Sequence, residues 1–171
     1  FLGISVGLLL SFYSQTRKVP YFLNLNYKSN ESGVCQLFYD IGNGYTESHS
    51  VAKTVEFNQK GNLTFNLPAQ RIYGLRFDPL DRNGNLEIRN ISILGRKIDG
   101  DQHQILHEFN LKSLTALQEV DLAINKSGNL VATTHHGCTD PVINLPLQKS
   151  LDHWKISEFL NMQWLKKSAF F

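Results

Sequence analysis

Residues able to do chemistry crowd into three stretches, and each stretch asks for a different ligand. In FYDIGNGYTESH, Phe38 to His49, aromatic side chains are interleaved with acids, amides and hydroxyls. A pyranose ring needs an aromatic face for its apolar side and fixed polar groups for its hydroxyls. Phe38, Tyr39 and Tyr45 are of the first kind; Asp40, Asn43, Glu47 and His49 are of the second. Further along, LRFD puts Arg76 and Asp78 on one face of a strand and Leu75 and Phe77 on the other, so that the charged pair can extend the same polar surface. The expected carbohydrate contacts are therefore Phe38, Tyr39, Asp40, Tyr45, Glu47, Arg76 and Asp78. The competing reading is structural. Tyr39 alternates with core residues, Asp40 caps a turn, and Arg76 with Asp78 forms a local ion pair of small energetic weight.

The other two stretches suggest metals. THHGCTDP, Thr133 to Pro141, holds His135, His136, Cys138 and Asp140, donors that suit zinc. Adjacent histidines on a strand point to opposite faces, so a solvated turn is the expected structure. DPLDRNGNLE matches a calcium loop at Asp81, Asn83 and Gly84, but Pro79 stands at the first ligand position and Asn90 where a closing glutamate belongs. A plain turn is expected there too, and no metal or cofactor is expected. The chain has no Walker loop, GxGxxG, HExxH or CxxC. The segment is read as non-catalytic, although the whole protein can still be an enzyme.

Short strands must position these residues. From Val19 to Tyr27 the residues alternate, with Phe22, Asn24 and Asn26 facing one way and Tyr21, Leu23, Leu25 and Tyr27 the other. VCQLFYDI is a second strand with Cys35, Leu37, Tyr39 and Ile41 on one face. A strand from Val51 to Phe57 is expected to pair as a hairpin with Leu63 to Leu67 across NQKGN. In RIYGLRFDPLDRNGNLEIRNISIL, Pro79, Asn83 and Gly84 separate two strands, and the alternation of the second changes phase near Asn90, which predicts a bulge. Ile105 to Leu111 suits either strand or helix. EVDLAI and NLVATT form a further hairpin around NKSGN. Such regular turn signals among short alternating runs predict an antiparallel sandwich or barrel.

Composition sets the outer bounds. With 171 residues, 42% hydrophobic and 19% charged, the chain is about one globular domain. A formal net charge of +2, with scattered Lys and Arg, argues against nucleic acid as a partner. Cys35 and Cys138 are too far apart in sequence for a CxxC motif and are either two buried thiols or one long-range disulfide. The Asn-x-Ser/Thr sequons at Asn30, Asn62, Asn90 and Asn125 are expected to be chance in so Asn-rich a chain.

The ends point to a membrane. FLGISVGLLLSFY opens the sequence without an initiating Met and is followed by Arg17 and Lys18. It is shorter than the roughly 20 apolar residues that span a bilayer. The end of a transmembrane helix over residues 1–18 is the preferred reading, against a signal-sequence remnant or a buried helix. Residues 148–171 read as a helix from about Lys149 to Lys167, with Trp154 and Trp164 beside lysines. It is either membrane-proximal or docked on the sandwich. The lysines and arginines at both ends would favour the cytoplasm on a positive-inside count.

Three stretches, taken together, also carry a resemblance. QLFYDIGNGYTESHS, LRFDPLDRNGNLEIRNISIL and GNLVATTHHGCTDPVINL are spread over most of Tyr21 to Leu147. Their order and spacing resemble a β-sandwich module attached to bacterial membrane proteins, chiefly glycosyltransferases, that build or modify cell-surface polysaccharides. The chain departs from that pattern at His135 to Cys138, where the module has a short Gly- or Asn-containing turn. The resemblance implies an extracytoplasmic location and a glycan as partner. The expectation for residues 19–147 is thus an all-β, jelly-roll-like antiparallel β-sandwich, with an N-terminal membrane-anchor remnant and a C-terminal helix. Its expected function is that of an accessory domain in cell-envelope polysaccharide assembly, binding carbohydrate. The alternative is a purely structural or protein-docking domain between transmembrane segments.

Overall fold

Alternation of large apolar and polar residues decides which face of each strand leaves water, and the computed structural model shows the outcome for residues 21–96 and 103–151. The strands are β1 (Tyr21–Ser29), β2 (Gly33–Asp40), β3 (Ser50–Val55), β4 (Lys60–Leu67), β5 (Gly74–Asp78), β6 (Gly84–Arg96), β7 (His103–Glu108), β8 (Thr115–Gln118), β9 (Val120–Ile124), β10 (Leu130–Thr134) and β11 (Val142–Leu145). Short 3-10 turns occur at Glu47–His49 and Leu111–Ser113. No α-helix is present among the described residues.

The strands form two antiparallel sheets. One runs β4-β1-β6-β10-β9, with β7 also paired to β6; the other runs β3-β2-β5-β11-β8. β1 buries Tyr21, Leu23, Leu25 and Tyr27, and β2 buries Cys35 and Leu37 on the same face as Tyr39, as their alternation predicts. The bulge expected near Asn90 is there. Asn26 pairs with Asn90 and Tyr27 with Ile88, so Arg89 is the extra residue. That single insertion lets Leu86 and Ile88 before it, and Ile91 and Ile93 after it, all face the core. The two sheets meet through fully buried side chains, with the Phe65 and Phe77 rings edge to face at 6.1 Å.

One expected pairing is wrong. β3 and β4 do not form a hairpin: β3 pairs with β2, and β4 pairs with β1 in the opposite sheet. Val55 and Leu63 are both buried, so the 56–59 turn carries the chain across the core and not back along one sheet. β9 and β10 do form the expected hairpin, from Leu130 opposite Ile124 to Thr134 opposite Val120. The ambiguous run after the central stretch is strand β7, and β8 is a strand that the pattern around Leu111 to Leu122 conceals.

The anchor expected at residues 1–18 lies outside the described residues, and so does most of the stretch from Lys149 to Lys167 expected to be helical. The described residues of that stretch are not helical: Lys149 lies in a bend, and Leu151 makes an isolated antiparallel bridge with Ile72. Among the described residues no helix is long and apolar enough to cross a membrane.

Candidate functional site

The expected polar surface forms on the outer face of the β3-β2-β5-β11-β8 sheet. Register places Phe38 of β2 directly beside Arg76 of β5, and Arg76 beside Asn144 of β11. The Arg76 guanidinium carbon lies 4.6 Å from the Phe38 ring centroid, so the cation covers the aromatic face. Two donors of the same guanidinium bind Asp78, Nε to Oδ1 at 2.9 Å and an Nη to Oδ2 at 2.8 Å. A further hydrogen bond joins it to Asp140, from the loop between β10 and β11.

Burial sets the electrostatics of this group. It holds the Asp78 carboxyl above the ordinary carboxylate range, against the opposing pull of Arg76. The hydrogen bond to Asp78 in turn raises Arg76, which stays a cation under all ordinary conditions. With its charge answered by two carboxylates, Arg76 is a planar group held in place, a platform and not a free anion receptor.

The loop between β2 and β3 brings Tyr45 beside Gly74, at the start of β5. Asp40 Oδ1 accepts hydrogen bonds from the Gly42 and Gly44 amides, at 2.7 and 2.8 Å, and so ties the loop shut. Gly42 and Gly44 have φ of 118° and 82°, which a side-chain-bearing residue adopts only with strain. Tyr45, 41% exposed, turns its hydroxyl onto Gly74, where a Cβ would stand only 2.6 Å from Oη. Burial and the nearby Asp40 push the Tyr45 hydroxyl pKa up. Glu47 accepts a hydrogen bond at 2.9 Å from Gln36 Nε2, which also reaches Ser50 Oγ at 2.8 Å.

Six of the seven expected contacts therefore share this neighbourhood, but their roles differ from expectation. Phe38 is 4% exposed and lies beneath Arg76, so it supports the platform and cannot stack a sugar itself. Asp40 organises the loop. Tyr39 is the residue set apart: it faces inward, packs against the core and stacks on His49 at 5.9 Å. Alternation along β2 already separates Tyr39 from Phe38, and that signal was legible in the sequence.

Sequence reasoning missed Glu119, and it read Asp140 only as a candidate metal donor and not as a partner of Arg76. Glu119 sits at the corner between β8 and β9 with φ 48°, an uncommon conformation for a non-glycine residue. Its carboxylate accepts the Thr139 and Asp140 amides at 2.7 and 2.9 Å, and its carbonyl accepts the His135 amide at 3.0 Å. Those amide donors hold its pKa below the usual value. The THHGCTDP stretch is thus a turn pinned by Glu119 that delivers Asp140 to Arg76. His135 pairs with Asp121 at 3.1 Å, and His136 is exposed.

Near the calcium-like pattern, Asp81 accepts the Val34 amide at 2.9 Å and Arg82 Nε at 3.1 Å, which are the contacts of a turn. No group of three or more metal-ligating side chains occurs among the described residues. Cys35 and Cys138 are both buried free thiols. Burial pushes the Cys35 pKa well up, and its Sγ contacts the Pro79 carbonyl at 2.6 Å. The sequence also holds a GxSxG pattern, Gly3-Ile4-Ser5-Val6-Gly7, and a DxD pattern, Asp99-Gly100-Asp101, and both lie outside the described residues.

Fold and site define an all-β domain of two antiparallel sheets with a polar, aromatic-backed platform on one outer face. Compared with protein-family models, curated proteins and solved structures, the chain finds no match in any of the three.

Proposed function

We propose that this domain is a non-catalytic, carbohydrate-binding accessory β-sandwich of a bacterial membrane protein engaged in cell-envelope polysaccharide assembly, on the extracytoplasmic side. The observation that carries the glycan reading is the Arg76 platform: a guanidinium locked on Phe38 by Asp78 and Asp140, with half-exposed Tyr45 beside it. Glycan sites use preset polar groups next to an aromatic face, because loosely held side chains lose entropy on binding. Gln36, Glu47 and Ser50 add hydrogen-bonding groups along the same edge. Jelly-roll topology is supported by the way consecutive strands pass between the sheets, as from β1 to β2 and from β3 to β4 to β5 to β6.

An NMR titration of the chain with fragments of cell-surface polysaccharides tests this reading. Saturable shifts are expected at the amides of Tyr45, Gly74 and Arg76, and Tyr45→Ala is expected to weaken them without unfolding the domain. A broad panel of glycans that leaves these amides unmoved would sink the proposal and favour a structural or protein-docking role.

A further inference from the structure

Strand register fixes which loops share an end of the domain. Tyr21, the first residue of β1, pairs with Leu67 at the close of β4 and with Gly95 near the close of β6. The 68–73 loop leads from Leu67 to Gly74, which pairs with Asp40 at the close of β2. Leu151 is bound to Ile72 in that same loop by two backbone hydrogen bonds, of 3.1 and 2.8 Å. The chain therefore enters the domain before Tyr21 and leaves it after Leu151 at one end. The opposite end holds the 30–32, 56–59 and 79–83 turns.

The shared end carries an unusual set of side chains. Tyr73 is 51% exposed, and the Arg71 guanidinium carbon lies 5.8 Å from its ring centroid. On the adjoining sheet, register lines up Phe22, Leu94 and Ile105 in one outward row across β1, β6 and β7, with Ile105 60% exposed. His103 packs edge-on against Phe22 at 5.4 Å. Exposed tyrosine beside arginine, next to an apolar row, is the chemistry of a lipid headgroup boundary, where amphipathic rings lie half in water and the cation meets phosphate.

We propose that this end of the domain, through Tyr73, Arg71 and Ile105, rests on a phospholipid bilayer surface. The occupant is a membrane because the sequence on each side of this end is apolar or tryptophan- and lysine-bearing: FLGISVGLLLSFY before Tyr21, and Trp154 and Trp164 after Leu151. The inference rests on the membrane attachment proposed above and adds which end faces the lipid. It also places the Tyr45 edge of the Arg76 platform close to the headgroups and the Phe57 turn away from them.

The test uses the full chain bound to vesicles of phosphatidylethanolamine and phosphatidylglycerol that contain doxyl-labelled lipid. Tyr73→Cys, Ile105→Cys and Phe57→Cys are each labelled with an environment-sensitive thiol fluorophore, with the unsubstituted chain controlling for the buried Cys35 and Cys138. Labels at 73 and 105 are expected to shift to the blue and to be quenched several-fold more than the label at 57. Equal quenching at the three sites, or stronger quenching at 57, overturns the orientation. Failure of the chain to bind vesicles overturns the membrane attachment as well. Neither failure touches the glycan titration, which is read without lipid.

Discussion

Arg76 and Phe38 are direct neighbours in the register of β5 and β2, and the guanidinium carbon stands over the ring at 4.6 Å from its centroid, with Phe38 left 4% exposed. An outward-facing aromatic on a sheet surface would ordinarily be open to solvent. Here a cation covers it, and two carboxylates hold the cation in place.

Glycine at position 74 leaves the room that the Tyr45 hydroxyl uses. Gly74→Ala is expected to change stability by no more than about 1 kcal/mol, because only a side-chain tip must move. It will displace Tyr45, shift the Tyr45 amide resonance and lower glycan affinity. Adding Tyr45→Phe removes the atom nearest the new methyl group and is expected to return the loop amides toward their original positions. A Gly74→Ala spectrum unchanged at Tyr45 would disprove the contact.

Asp78 gives the domain a pH signature. Its folded pKa lies above the ordinary value of 3.8, so the folded state holds this proton more tightly than the unfolded chain does. The resulting stability is present in full below pH 3.8 and is lost as pH rises through the folded value. Urea unfolding across acid pH should therefore show wild type losing stability relative to Asp78→Asn as pH increases through that window. A difference that stays constant with pH would contradict the raised value.

Thr134 is 1% exposed and serves three backbone groups. Its hydroxyl accepts the Gly84 amide at 2.9 Å and lies 2.5 Å from the Arg82 carbonyl and 3.1 Å from that of Gly84. Thr134→Val keeps the shape and removes the hydroxyl that the Gly84 amide donates to. We expect a loss of about 1–3 kcal/mol in urea unfolding, with Thr134→Ser recovering part of it.

Phe77 faces Phe65 across the junction of the sheets, with both rings fully buried. Phe77→Ala should cost about 3–5 kcal/mol through lost transfer energy and the cavity left behind. Phe77→Leu should cost less. Equal losses for the two would mean that the site refills by collapse.

Glu119 is expected to act on the platform from a distance. Glu119→Ala removes the acceptor for the Thr139 and Asp140 amides, so amide hydrogen exchange should speed up at both. The Arg76 side-chain signals should broaden at the same time, because Asp140 is then held less firmly. Unchanged exchange at Thr139 would show that the turn holds itself.

The sequence by itself determined the faces of the strands. Alternation put Leu23, Leu25, Cys35, Leu37, Leu75 and Phe77 inside, and the phase change at Asn90 announced the Arg89 bulge, because side chains on a strand have no choice but to alternate. It also separated Arg76 and Asp78 from the core. What it left open was which strands pair. A turn such as 56–59 looks alike whether the chain doubles back within one sheet or crosses to the other, since the local geometry does not contain the partner; only the burial of Val55 and Leu63 between two sheets selects the crossing. For the same reason Asp140 could not be joined to Arg76 from the sequence. The two lie 64 positions apart, and packing of β11 against β5 brings them together.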